Sequence, residues 1–182
     1  MSEKQVFVFL ADGFEEVEAV TPVEFFRRAG VKVTTVSIMG RRQVNGSHGV
    51  PYVADVLAEE ADFSAADVVV LPGGMPGAKY LEESSVVKEQ CLRLAETGMV
   101  AAICAAPGAL GAFGLLQGKR ATIYPGLEHR LTGAVATGEK VVVDGNVVTG
   151  QAPGAAVPFA LTLVRLLCGE ETMQSVIEDL VL

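Results

Sequence analysis

Cys104 ends an apolar run, Val100-Ala-Ala-Ile-Cys104, and is followed by Ala105, Ala106 and Pro107. A buried strand that enters a cysteine, two small residues and a proline suited to a first helical turn describes a sharp strand-to-helix turn. Nucleophile elbows use that geometry. The thiol would then sit at the carboxyl end of a central strand, where open α/β sheets place ligands. Helix N-terminal amides favour the thiolate there, which predicts a pKa below the usual ~8.5. A packing role is the plain alternative, since free cysteines are among the most buried residues.

A partner for that thiol is offered by Glu15, Glu16 and Glu18, which follow the first apolar run. At helical spacing Glu15 and Glu18 share a face, and Glu16 points elsewhere. A carboxyl aimed over the strand ends is partly desolvated, which raises its pKa and favours the neutral acid. The acid can then donate a hydrogen bond to a thiolate or move a proton in carbonyl chemistry. The same acids would also complement a helix N-terminus with no chemistry involved. Pro72-Gly73-Gly74 follows another apolar run, and its glycines let backbone N–H groups approach a ligand. They would form half of an oxyanion hole, with the Ala105 amide as the other half, though paired glycines also mark ordinary turns. His48 lies in a glycine-rich excursion of the kind that borders sites. His129, in Gly126-Leu-Glu-His-Arg-Leu, reads as part of a short exposed helix. No Ser-His-Asp set can be built from the two.

Apolar strand-like runs alternate with helix-like stretches, the pattern of a mostly parallel sheet covered on both faces. Strands are predicted at Gln5 to Leu10, Val31 to Ile38, Asp67 to Leu71 and Val100 to Cys104. The first helix is predicted in two pieces, Glu15 to Val20 and a restart capped by Thr21 with Pro22 in its first turn. Gly40 to Tyr52 reads as a hairpin-like excursion. A helix capped by Ser84 or Ser85 runs to Thr97, and another starts near Pro107. Val141 to Asp144 and Val147 to Thr149 form a hairpin around Gly145-Asn146. Helices at about Pro153 to Cys168 and Glu170 to Leu180 close the chain.

The 182 residues, 50% of them hydrophobic, suit one domain over 1–182. A net charge of -8 without any basic stripe disfavours nucleic acid. No segment approaches the roughly 18 apolar residues of a spanning helix. The N-terminal run, Val6 to Ala11, is too short for a signal peptide. Cys91, Cys104 and Cys168 form neither a metal-ligand pattern nor a disulfide framework, which suits a reducing cytoplasm. Neither a metal nor an organic cofactor is called for.

The chain resembles the ThiJ/PfpI superfamily, in particular the DJ-one (parkinsonism-associated) branch and its bacterial relatives. The resemblance covers nearly the full length. It is carried by Leu10-Ala11-Asp12-Gly13-Phe14-Glu15-Glu16-Val17-Glu18, Arg27-Arg28-Ala29-Gly30-Val31-Lys32-Val33-Thr34, Val68-Val69-Val70-Leu71-Pro72-Gly73-Gly74, Ala101-Ala102-Ile103-Cys104-Ala105 and Pro153-Gly154. It implies a flavodoxin-like three-layer α/β sandwich and a homodimer whose interface runs near Glu15, Val17 and His48. It further implies a reactive Cys104 hydrogen-bonded to a protonated Glu18, with the Gly74 and Ala105 amides facing a bound oxygen. The activities implied are glutathione-independent conversion of methylglyoxal to lactate and removal of early glycation adducts from proteins. A redox-sensing, stress-protective or chaperone-like role through oxidation of Cys104 is the alternative. The chain departs from the branch at Tyr124-Pro125, where many relatives carry a histidine before the proline. A phenol at Tyr124 can position an aldehyde but cannot serve as an imidazole base. His48 replaces an arginine, and Gln151-Ala152 an arginine-glycine pair. A peptidase reading lacks a histidine immediately after Cys104.

Overall fold

A computed structural model describes residues 3–182. In chain order the elements are β1 (Gln5–Leu10), α1 (Glu16–Arg28), β2 (Lys32–Ser37), β3 (Gln43–Asn45), β4 (Pro51–Val53), β5 (Val56–Leu57) and β6 (Val68–Leu71). There follow α2 (Gly77–Glu83), α3 (Ser85–Thr97), β7 (Met99–Ile103), α4 (Pro107–Ala112), β8 (Arg120–Ala121) and β9 (Val135–Ala136). The chain closes with β10 (Val141–Asp144), β11 (Val147–Gly150), α5 (Ala156–Cys168) and α6 (Glu170–Leu180).

Seven strands form one sheet in the order β10-β11-β7-β6-β1-β2-β5. All its neighbours pair in parallel except the β10–β11 hairpin. Strands of a sheet covered on both faces must be apolar throughout, and β1 shows why. Its Val6, Val8 and Leu10 enter one core with Phe26, Val33, Phe159 and Leu163. Its Phe7 and Phe9 enter a second core with Leu71, Leu94, Val100 and Leu110. Helices α1 and α5 pack together on the first face. The result is the expected flavodoxin-like sandwich. From β1 the chain moves to β2 on one side and later returns to β6 on the other, so β1 and β6 flank the point where strand order reverses. Open sheets bind ligands beyond the carboxyl ends of such strands.

Helix α1 corrects one expectation. It runs unbroken from Glu16 to Arg28 with Pro22 in its interior, and Thr21 caps nothing. Pro22 deprives the Glu18 carbonyl of its helical donor. Even so, Pro22, Val23, Phe25 and Phe26 are all buried, so tertiary packing outweighs the break. Helix α2, which directly follows the Pro72–Pro76 loop, was not foreseen. The last stretch begins with a 3-10 turn, Pro153–Ala155, before α5. The predicted Gly40 to Tyr52 excursion is the antiparallel β3–β4 hairpin. Ser84 caps α3, its hydroxyl accepting the Val87 N–H at 3.4 Å. Among the described residues no helix is long and apolar enough to cross a membrane.

Candidate active site

Three segments that leave parallel strands converge at the strand-order reversal. After β1 comes the N-terminus of α1, which carries Glu18. After β6 comes Pro72-Gly73-Gly74, and after β7 comes Cys104. The Glu15 N–H donates to the Gly73 carbonyl at 2.9 Å, and the Cys104 N–H donates to the Gly150 carbonyl at 2.9 Å. These bonds tie the first loop to the second and the elbow to β11. Glu18 is fully buried. Its Oε2 accepts the Gly73 N–H at 2.8 Å, while Oε1 receives no N–H or O–H. The Cys104 thiol faces this carboxyl, and the Gly74 and Ala105 amides lie beside the same sulfur.

Gly73 is confined to glycine by these neighbours. A Cβ there would lie 2.6 Å from both Cys104 Cβ and Glu18 Oε2. Cys104 itself has φ 65, the left-handed region that costs a side-chain-bearing residue about 1–2 kcal/mol. Such conformations persist where surrounding structure imposes them, and they concentrate at functional positions.

Desolvation pushes the Glu18 carboxyl up from 4.5 to about 7, and the charge of Glu15 adds to it. The thiol and the Gly73 amide act in the opposite direction without cancelling the rise. The predicted depression of the Cys104 pKa is not found. Burial pushes the thiol up to about 12, and the charge and hydrogen bond of Glu18 add to this. The Gly74 and Ala105 amides pull it down but are outweighed. Helix α4 spans only Pro107–Ala112, so the field behind the expected depression is short, and the expectation omitted the facing carboxylate. The two groups titrate as a pair. Between about 7 and about 12 the pair holds one proton and one negative charge.

Outside the sulfur lies a cleft of about 400 Å³ lined by Gly74, Met75, Cys104, Ala105, Tyr124, Pro125, Gly126 and Leu127. Cys104 is 9% exposed at its floor, and Cys91 is fully buried. Tyr124 is held beside the elbow by its N–H, which donates to the Cys104 carbonyl at 2.9 Å. No Asp, Glu, Lys, Arg or His is among the residues lining this cleft. Of the residues singled out in the sequence, Cys104, Glu18, Gly73, Gly74 and Ala105 meet at one point, and Tyr124 borders the cleft. Glu15 is not among the residues lining the cleft and caps α1 by accepting the Val17 N–H at 3.3 Å. His48 is exposed on the β3–β4 turn and pairs with Glu16 Oε2 at 3.1 Å and Glu15 Oε2 at 3.6 Å. The hydrogen bond from Glu16 and the nearby carboxylate charges raise its pKa. Sequence reasoning missed Met75 and Leu127 as cleft walls and Glu16 as the partner of His48. Met75, beside the glycine pair, was the one with a local signal.

The family model described as DJ-1/PfpI family matches residues 4–166. The Parkinson disease protein 7 homolog of Danio rerio is 40% identical over 187 residues, covering 100% of this chain and 99% of the relative. A deglycase of Pyrococcus abyssi is 32% identical over 165 residues, covering 90% of this chain and 99% of its own. The crystal structure of Drosophila melanogaster DJ-1beta superposes with a TM-score of 0.93 at 37% identity, covering 100% and 99% of the two chains. The chain spans about half the length of the DJ-1 homologs A and B of Arabidopsis thaliana, 47% and 42% respectively.

Proposed function

The chain belongs to the DJ-1/PfpI family, and on that footing we propose that it is a cofactor-free, cysteine-dependent enzyme acting on reactive carbonyls. Its reaction is glutathione-independent glyoxalase chemistry, deglycation of proteins, or both. The observation that carries this reading is the buried pair Glu18–Cys104, with the Gly73 N–H on the carboxyl and the Gly74 and Ala105 amides beside the sulfur. In this reading the reactive form of the singly ionised pair is the tautomer with the proton on Glu18 and the charge on the sulfur, which the Gly74 and Ala105 amides favour. That gives a thiolate nucleophile and a neutral acid from the same charge state.

With methylglyoxal, the thiolate adds to the aldehyde carbon and forms a C–S bond. The resulting hemithioacetal oxygen is held by the Gly74 and Ala105 amides. Glu18 gives its proton to that oxygen, and as the carboxylate it then takes the proton from the former aldehyde carbon and returns it to the adjacent one through an enediolate. The product of this shift is a 2-hydroxy thioester. Water cleaves the C–S bond, releases lactate and restores the thiolate. The Tyr124 phenol, beside the elbow, orients the second carbonyl. A cleft whose walls carry no Asp, Glu, Lys, Arg or His suits a small uncharged aldehyde. The relative named a deglycase supports carbonyl adducts as a substrate class.

Lactate formation from methylglyoxal without glutathione tests the scheme in wild type, Cys104→Ser and Glu18→Gln. Turnover in wild type and loss in both variants is the expected result. Full turnover by Cys104→Ser would end the covalent mechanism. A second reading is favoured by the same amides, which would also hold the oxygens of a sulfinate. In it, Cys104 is oxidised as a stress sensor while the fully buried Cys91 is spared. Mass analysis after mild peroxide separates the two, because a sensor gains oxygen at Cys104 without showing turnover.

A homodimer fits the exposed Val17 and Val20 of α1 and Val50 and Val53 of the adjoining hairpin, an apolar surface next to Glu15 and His48. A reducing cytoplasm fits three free cysteines.

A further inference from the structure

We propose that Glu15, Glu16 and His48 form a binding site for one divalent transition-metal ion of the zinc, cobalt or copper class, separate from the Cys104 cleft. His48 lies 32 positions beyond Glu16 in sequence and is joined to the two adjacent glutamates by the packing of the β3–β4 turn against the start of α1. One carboxylate oxygen each from Glu15 and Glu16 and one ring nitrogen of His48 all lie within 4.8 Å of one another. Metal bonds of about 2.0–2.2 Å place neighbouring ligand atoms about 3–3.5 Å apart. The distances from His48 Nδ1, 3.1 Å to Glu16 and 3.6 Å to Glu15, are already close to those edges.

Glu15 supplies the independent reason for a ligand. Its side chain is nine-tenths buried, and its Oε1 caps α1 on the Val17 N–H. Its Oε2 is buried without a hydrogen-bond partner and is directed at His48. A buried carboxylate oxygen with no donor is costly, and a cation held against it removes that cost. Glu16 is prepared in the way metal-bound carboxylates usually are. Its Oε1 accepts the His48 N–H at 2.7 Å and the Val50 N–H at 3.3 Å, which orients Oε2 toward the imidazole. Ser47 Oγ lies 3.3 Å from Glu16 Oε2 and 3.1 Å from His48 Nδ1, a fourth oxygen or the anchor of a bound water. Among the described residues no Lys or Arg pairs with Glu15 or Glu16. Two carboxylates therefore face one exposed imidazole. An imidazole with two carboxylates selects zinc-like ions over magnesium and calcium, which take all-oxygen sets.

Cobalt(II) titration of the untagged, reduced protein tests this. The expected result is one equivalent bound with visible d–d bands, displaced by zinc(II) and untouched by excess magnesium. No near-ultraviolet sulfur-to-cobalt band should accompany it, and Cys104→Ser should bind equally well. His48→Ala and Glu15→Gln should each weaken binding at least ~10-fold. His48→Gln serves as a second probe that keeps the turn polar. Unchanged affinity in the His48 variants, a sulfur-to-cobalt band, or displacement by magnesium would each overturn the site. So would the absence of stoichiometric binding, which leaves the cluster as an ion pair with water on Glu15.

Discussion

Replacing Glu18 by Gln should remove a specific limb from the pH dependence of folding stability. In the native protein the Glu18–Cys104 pair gives up its first proton near 7, where an ordinary glutamate would at 4.5, chiefly because Glu18 is buried. Below 4.5 the carboxyl is neutral in both states, so it imposes no penalty. From 4.5 upward the unfolded chain releases the proton while the native state keeps it, and stability falls by about 1.36 kcal/mol per pH unit. The fall stops near 7, once both states have lost one proton. Over a span of 7 − 4.5 = 2.5 units the loss is about 3 kcal/mol. Linkage counts protons rather than their location, so the size of the limb is the same whether the native charge rests on oxygen or sulfur. Glu18→Gln keeps an oxygen to accept the Gly73 N–H and lacks the titration. Urea unfolding of both proteins across this range is the assay. With a slope of about 2 kcal/mol/M, wild type should lose roughly 1.5 M of midpoint relative to the variant between pH 4.5 and 7. Parallel curves for the two proteins would refute the idea that burial of this carboxyl sets its proton affinity.

Gly73→Ala should cost about 1–3 kcal/mol and disturb the thiol, since the added Cβ meets Cys104 and Glu18 at 2.6 Å. Unfolding midpoints and the alkylation rate of Cys104 would show it, and wild-type values for both would contradict the described spacing. Cys104→Gly should be more stable than Cys104→Ala by about 1 kcal/mol, because only glycine adopts φ 65 without strain. Equal thermal stabilities would mean the backbone relaxes. If the pair's single charge rests on sulfur, thiolate absorbance in the ultraviolet should appear as the first proton leaves near 7 and should vanish in Cys104→Ser. Absorbance that grows only toward 12 would place the charge on Glu18 instead.

Much of the central sheet was legible because β1 from Val6 onward, β6 and β7 are apolar, as strands buried on both faces must be. Each is followed at once by a small or chemically distinctive residue, Ala11, Pro72 or Cys104. Glu18, Gly73, Gly74, Cys104 and Ala105 were legible for the same reason, since each lies within a short step of a strand's carboxyl end. What escaped notice depends on contacts distant in sequence. The cleft wall at Leu127 is brought to Cys104 only because the Tyr124 N–H docks on the elbow carbonyl. The pairing of Glu16 with His48 needs the β3–β4 turn laid against α1. Helix α1 was read as two pieces because a proline signal was weighed without the burial of Phe25 and Phe26. The thiol's proton affinity was misjudged for a related reason, since the local helix was considered and the carboxylate across the loop was not.

The order of the central strands has a consequence for how the protein is made. Glu18 and Cys104 are 86 positions apart (104 − 18), and the glycine that lies against both leaves β6, which lies between β1 and β7 in the sheet. No local fragment can therefore bring the acid to the thiol. Parallel pairings of this kind close late, because long loops must be ordered before any contact rewards them. During refolding the sulfur is thus exposed until the β1–β6 and β6–β7 pairings have formed. The interval in which Cys104 is an unguarded thiol, open to indiscriminate oxidation, is set by the docking of β6 rather than by any residue of the site itself.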